Sequence, residues 1–263
     1  MQCDADKIKG LEAALAQERE AREQLEAALA AEEEARQEFV SLVTHELRVP
    51  MTSIKGYTDL LLKGIMGPTN EAQTSFLHTI RSNVERMSKM VAALSDINKI
   101  ESGKFTLNLE DVLAAEIVDE TIAAFQKKID EKGQTVTQKI ADDVAVIADR
   151  SRLRQILDAV VGNAHIYTPE GGTITLTAES APDDASMVRI AIRDDGIGIL
   201  EDEQDQIFEK FFRASDEETR EVPGNGLDLH LAKLLTELHD GRIWFESERG
   251  VGSTFYIQLP ASD

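Results

Sequence analysis

At 263 residues the chain has room for two modest domains, and 42 % apolar residues are enough for a real core. Lys and Arg number 28 against 49 Asp and Glu, a net charge of −21 that repels phosphate backbones and anionic lipid surfaces. That balance argues against general nucleic-acid or membrane-surface binding, but not against a bound nucleotide whose charge a metal ion offsets.

The chain starts Met-Gln-Cys-Asp-Ala-Asp, with neither the basic start nor the apolar core of a secretory signal. Cys3 is its one cysteine, which excludes an intramolecular disulfide framework and fits a reducing compartment. No run approaches the ~20 apolar residues of a membrane span. The expectation is a cytoplasmic chain without membrane contact.

Residues 11–24, LEAALAQEREAREQ, recur as 25–38, LEAALAAEEEARQE, two heptads later. In register, Ile8, Leu15, Arg22, Leu29, Arg36 and Val43 fall at a, and Leu11, Glu18, Leu25, Glu32, Phe39 and Glu46 at d. A sustained 3.5-residue period predicts a parallel dimeric coiled coil over 1–38, with charged layers that weaken it; a solvated, alanine-rich single helix is the alternative. The apolar face continues through Phe39, Val43, Leu47, Ile54, Leu60 and Leu61, and Pro50 is expected to bend the helix. Gly64 to Asn70 has turn composition. A second amphipathic helix follows, carrying Phe76, Ile80, Val84, Met87, Val91, Leu94 and Ile97, and ends at Ser102-Gly103. Residues 39–102 thus read as a helical hairpin, and two copies would form a four-helix bundle.

From Lys104 the texture changes. Short β-like runs occur at 105–109, 135–140, 144–148, 173–179, 187–194, 242–247 and 254–259. Helical patterns lie between them at about 111–131, 151–166 and 226–239. Strands interleaved with a few helices predict an α/β sandwich with helices on one face of a mixed sheet, and an α+β class for the whole chain. The acidic stretch 213–225 has no apolar period and reads as a loop.

Four features carry chemistry. His45 lies on the first helix beside Glu46, outside the a/d seam, so it should face solvent. A neutral imidazole is a nucleophile, and a neighbouring carboxylate can hold the proton of its other nitrogen. Asp194-Asp-Gly196-Ile-Gly198 closes a β run, and its glycines let backbone and carboxylate approach a flat polar ligand. Gly224-Asn-Gly226-Leu227 leads into a helix whose start suits phosphate. Asn163, near the end of a helix, offers an amide oxygen to a hard cation such as magnesium, or serves as a C-cap. Each of the last three is weak alone, and a tight turn explains Asp194–Gly198 equally well.

Together and in this order they are specific. The chain resembles the sensor histidine kinases of two-component signalling from Phe39 to Pro260. His45-Glu-Leu-Arg-Val-Pro50 is similar to the phosphoacceptor box, Asn163 to the second asparagine of the N box, and Asp194, Gly196 and Gly198 to the first glycine motif. Phe208-Glu-Lys-Phe-Phe-Arg213 resembles the box before the nucleotide lid, Gly224 and Gly226 the second glycine motif, and His239-x-Gly241 with Gly250–Phe255 the closing strands. The resemblance implies domains at 1–38 (signalling coiled coil), 39–102 (dimerisation and phosphotransfer) and 103–263 (ATP binding). It implies that Mg²⁺-ATP phosphorylates His45, with Glu46 orienting or deprotonating the ring. Asn163 would hold Mg²⁺. Asp194, Gly196, Gly198, Gly224, Gly226, Leu227 and Thr254 would form the nucleotide site. The implied partners are a second copy and the receiver domain of a response regulator.

Three departures bear on that activity. Val49 stands four residues after the histidine, where the family commonly has Thr or Asn to position a water, so weak phosphatase activity is expected. Ala159 and Ile166 replace an asparagine and a lysine of the N box. Asp228 replaces a glycine of the second glycine motif. At an effective dielectric near 20, like charges about 5 Å apart repel by roughly 3 kcal/mol, about a hundredfold in affinity. Asp228 either faces the triphosphate or points to solvent as an early-helix acid favoured by the dipole. A degenerate kinase acting as a dimeric scaffold is therefore the alternative.

Overall fold

The computed structural model describes residues 2–141, 143–214 and 224–262; before residue 35 only some side chains are described. The chain divides into two compact units, 1–98 and 99–263.

The first unit is a helical hairpin. α1 spans Gln2–Leu62 and α2 spans Glu71–Glu101. α1 runs through Pro50 instead of ending there. Proline removes the amide that Glu46 O would accept from, and just beyond it the Thr52 and Ser53 hydroxyls donate back to Arg48 O and Val49 O. The connection turns on Gly64 and Gly67, both at positive φ. Asn70 then opens α2 with a reciprocal capping box. Its Oδ1 accepts from Gln73 N at 2.8 Å, and Gln73 Oε1 accepts from Asn70 N at 2.9 Å. The apolar face expected on α2 is split: Val84, Val91 and Ile97 are buried, whereas Phe76, Ile80 and Met87 stay exposed. On α1, Met51 is buried while Phe39, Leu42, Leu47 and Ile54 are exposed. The seam residues Ile8, Leu11, Leu15 and Leu29 lie outside the described side chains.

The second unit layers three helices on one face of a sheet. Its elements are β1 (Glu110–Leu113), α3 (Ala114–Glu131), β2 (Thr135–Ile140), β3 (Ala145–Ala148), α4 (Arg150–Tyr167), β4 (Thr173–Ala181) and β5 (Asp184–Asp194). A short 3₁₀ helix at Glu201–Gln206, α5 (Asp228–Leu238), β6 (Arg242–Glu248) and β7 (Gly252–Pro260) complete it. The five-stranded sheet has the order β2-β4-β5-β7-β6; β2 and β4 are parallel and the other pairs antiparallel. β1 and β3 form a separate antiparallel pair. Period-2 alternation turns Ile174, Leu176, Ile190, Ile192, Ile257 and Leu259 inward onto Ile117, Leu153, Ile156, Leu157 and Leu235 of the helices, all fully buried. The opposite face carries Thr175, Thr177, Arg189, Tyr256 and Trp244.

The expected strand at 105–109 is displaced to 110–113. Only Glu110–Leu113 has a ladder partner, β3, whereas Phe105 lies under the Arg152 guanidinium and Asn108 N donates to Asp149 Oδ2. α3 accordingly begins at Ala114 instead of 111. Of the acidic loop expected at 213–225, residues 215–223 lie outside the described residues.

Candidate functional site

The acceptor candidate is exposed. His45 and Glu46 side chains are each 71 % accessible, and His45 Nδ1 lies 3.4 Å from Glu46 Oε1. A carboxylate can only accept, so in this contact Nδ1 carries the proton, and in the neutral ring the lone pair then falls on Nε2. Four residues on, Val49 is also exposed.

Within the second unit, one cleft collects most of the other candidates. It is lined by Asn163, Ile166 and Tyr167 from α4, Asp194 and Gly198 after β5, Gly224 and Gly226 before α5, and Asp228 within α5. Asp194 ends a central strand, and burial pushes its carboxyl up. The amides of Gly196 and Ser253 oppose that shift, and neighbouring Asp195 reinforces it. Gly196 N donates to Asp194 Oδ1 at 2.9 Å, which fixes the carboxylate's orientation. Asp195 has a different task. Its Oδ1 accepts from Thr173 N at 2.8 Å and so ties the strand end to β4.

The turn after Asp194 is clamped from the β6–β7 side. Gly250 N donates to Ile197 O at 2.8 Å, and Ile199 N donates to Ser247 Oγ at 2.8 Å. Arg249 Nη1 also donates to Ile197 O and Gly198 O. A Cβ on Gly198, at φ +66°, would meet Glu248 O at 2.1 Å, so no other residue fits there.

The two ends of the acidic segment are joined to each other. Phe211 N donates to Gly226 O at 2.8 Å, and a Cβ on Gly226 would meet Phe212 O at 2.4 Å. α5 then begins without a side-chain cap at Leu227, although Asn225 Oδ1 accepts from Leu227 N at 2.8 Å. Asp228, exposed in the first turn of α5, lines the cleft.

Several expectations need correction. Thr254 does not line the cleft; Ser253 and Phe255 do, because neighbouring strand residues face opposite sides of the sheet. Leu227 is buried beneath the cleft, and Gly196 shapes the turn without lining it. Asn163 is not the C-cap of α4; Thr168 is. Ala159, one turn before Asn163, does not line the cleft, whereas Ile166 does. His165 hydrogen-bonds Gln134 Oε1 at 2.7 Å, and His230 hydrogen-bonds Phe208 O at 2.8 Å, so both half-buried rings are held by their neighbours. His239 is structural: Nδ1 donates to Leu235 O and Nε2 accepts from Asp149 N, joining the end of α5 to the start of α4. Arg249 was missed because its signal is a turn position, not a motif.

Asp194 and Asn163 line one cleft together with Gly198, Gly224 and Gly226, an arrangement that suits a flat polar ligand. Residues 35–103 match the family model "His Kinase A (phospho-acceptor) domain", and residues 148–263 match "Histidine kinase-, DNA gyrase B-, and HSP90-like ATPase". The chain belongs to the sensor histidine kinases. It is 30 % identical over 222 residues to sensor histidine kinase WalK of Bacillus subtilis, covering 84 % of this chain and 36 % of WalK. It is 34 % identical over 225 residues to the circadian input-output histidine kinase CikA of Synechococcus elongatus, covering 84 % of this chain and 29 % of CikA. The crystal structure of full-length ShkA in complex with AMPPNP matches with a TM-score of 0.72 at 25 % identity, over 86 % of this chain and 46 % of that one. The chain thus spans roughly a third of the length of these curated relatives. No helix among its described residues is long and apolar enough to cross a membrane.

Both matched segments contain their candidate residues: His45 and Glu46 lie in residues 35–103, and Asn163, Asp194 and the paired glycines in residues 148–263.

Proposed function

We propose that the chain is an ATP-dependent protein-histidine kinase whose phosphoryl acceptor is Nε2 of His45. The observation that carries this reading is the contact of Nδ1 with Glu46 on a largely exposed His45, which in the neutral ring leaves the lone pair on Nε2. That lone pair attacks the γ-phosphorus of ATP, a P–N bond forms, the bond to the bridging oxygen breaks and ADP leaves. The ring gains positive charge as the bond forms, and Glu46 stabilises it at Nδ1 and takes its proton. Positioning and charge neutralisation supply most of the catalysis in such transfers.

In the cleft, Asp194 accepts from the amino group of adenine, the contact for which its buried, Gly196-oriented carboxylate is suited. Gly198, Gly224 and Gly226 let backbone approach the nucleotide. Asn163 is the residue that would hold Mg²⁺, which supplies charge neutralisation at the phosphates; an amide oxygen is an appropriate hard ligand.

Residues 1–38 serve as the signalling coiled coil, 39–102 as the dimerisation and phosphotransfer domain, and 103–263 as the ATP-binding domain. The exposed row of Phe39, Leu42, Leu47, Ile54, Phe76 and Ile80 is what a second copy of the hairpin would bury in a four-helix bundle. From His45 the phosphoryl passes to an aspartate of a response-regulator receiver domain. Val49 offers no polar atom to hold a hydrolytic water, so phosphatase activity by that route is weak.

A second reading, a degenerate kinase acting as a dimeric scaffold, draws on Ile166 and Asp228, both of which line the cleft. Incubation with Mg²⁺ and γ-labelled ATP separates the two. The kinase reading predicts acid-labile, base-stable label that His45→Ala abolishes while the dimer persists. Absence of label together with absence of nucleotide binding by calorimetry establishes the scaffold instead, and residual label in His45→Ala refutes the acceptor.

A further inference from the structure

A helix ends with four carbonyls that have no partner inside it. At the end of α4 the first and last of these are met by backbone: Thr168 N donates to Ala164 O at 3.0 Å, and Ile197 N donates to Tyr167 O at 3.3 Å. The middle two are met by side chains from the turn between α3 and β2. Lys132 Nζ donates to His165 O at 3.0 Å and to Ile166 O at 2.8 Å, and it also reaches Thr168 O. Gln134, itself buried, donates through Nε2 to His165 O at 3.0 Å and to Thr168 O at 2.8 Å. Its Oε1 accepts from His165 Nδ1, which fixes which way the amide points.

Two properties of this cap go beyond holding the helix. The end of a helix carries partial negative charge, which opposes an anion nearby and which a cation offsets. This particular end carries Asn163, Ile166 and Tyr167 into the cleft. It also meets the turn after Asp194, where a Cβ on Gly196 would lie 2.7 Å from Tyr167 O. The ammonium of Lys132 therefore sits on the back of the same turn whose cleft face shows an isoleucine, and its hydrogen bonds are made to the carbonyls of that turn.

We propose that Lys132 is a positioning residue for the nucleotide phosphates, supplying from behind α4, through the carbonyls of His165 and Ile166, the positive charge that the cleft face of that turn lacks. This rests on the nucleotide reading above and deepens it, because it concerns the charged tail of the ligand and not its base. Burial lowers the Lys132 pKa, with Glu170 opposing that shift. Lys132 is half-buried, so its charge is screened less than that of a fully exposed lysine.

The test is the ratio of affinities for Mg²⁺-ATP and for adenosine, measured by NMR titration on the full chain. Lys132→Gln keeps a hydrogen-bond donor and removes the charge. It is expected to weaken ATP by about tenfold while changing adenosine by less than about twofold. Adding Ile166→Lys to that variant, which puts a cation on the cleft side of the same turn, is expected to restore ATP, and Lys132→Arg to retain it. Equal weakening of both ligands means that Lys132 is only a cap and overturns the proposal; so does unchanged ATP affinity. Should Lys132→Gln fail to fold, as judged by its circular dichroism, Lys132→Met reads the same ratio with the aliphatic stem kept. If the unaltered chain binds neither ligand, the nucleotide reading falls and the proposal falls with it. If it binds both and the ratio does not move in the neutral variant, only the proposal falls.

Discussion

The two units solve the burial problem in opposite ways. In the α/β unit, Ile174, Leu176, Ile190 and Ile257 are wholly buried, because a sheet covered by three helices closes its own core. In the hairpin, Phe39 is 66 % exposed and Phe76 69 %, while the buried cluster comprises Met51, Val84 and Val91. Two helices have only one mutual interface, and a broad apolar stripe on each cannot be hidden by it. One unit closes its core within a single chain; the other leaves an apolar face uncovered. Function divides along the same line, since the cleft sits on a closed scaffold and the exposed histidine sits on the open one.

If that division is right, the two units fail independently. The largest expected effect belongs to Asp194→Asn, which turns an amide donor toward the adenine amino group and should weaken ATP by about a thousandfold in calorimetry. Its effect on stability has the opposite sense. Burial raises the Asp194 pKa in the folded state, so this group's stabilising contribution is fully present below its unfolded value and is lost as pH rises through the folded one. The neutral amide removes that loss, and the melting temperature at neutral pH should stay level or rise. A fall would show that the carboxylate holds the fold and not a ligand.

Next in size is Ile80→Asp in the hairpin. Each copy loses an apolar contact of about 1.5–3 kcal/mol, and a symmetric dimer loses it twice. The dimer dissociation constant should rise by at least about a hundredfold in sedimentation equilibrium, with ATP affinity unchanged. Altered ATP affinity would mean that the units are not independent.

The smallest effect is expected at Asp149, the N-cap of α4, which also receives Asn108 N. Burial would push its carboxyl up, but bonds from the Ser151 hydroxyl and from the amides of Asn108, Arg152 and Ser151 outweigh it and hold the pKa low. Its contribution is present above the unfolded value and is lost as pH falls through the folded one. Asp149→Ala should therefore cost about 1–2 kcal/mol at neutral pH in urea denaturation, and less in acid.

Much of this was legible in the sequence, for physical reasons that differ between elements. β2, β4, β5 and β7 announce themselves as short β-like runs, and α2 by its apolar stripe. β1 escaped because Phe105–Leu109 alternates in sequence whereas Glu110–Leu113 does not, and only the position of β3 decides which segment is paired. At the site, glycine motifs mark where backbone must come close, and Gly198 and Gly226 fit that description. Side-chain direction is another matter: Thr254 and Ser253 are equally plausible by composition, and strand register alone separates them. Lys132 and Gln134 act across 31–36 residues of sequence on bare carbonyls, which leave no trace in residue type.

The most direct test of the central claim is to identify the phosphorylated atom. After incubation with Mg²⁺ and ATP, phosphorus–nitrogen correlation NMR of the ¹⁵N-histidine-labelled chain should show a single phosphoramidate at Nε2 of His45. A phosphoryl group on Nδ1, or on any residue other than His45, would contradict the assignment of Glu46 as the partner of Nδ1 and of His45 as the acceptor.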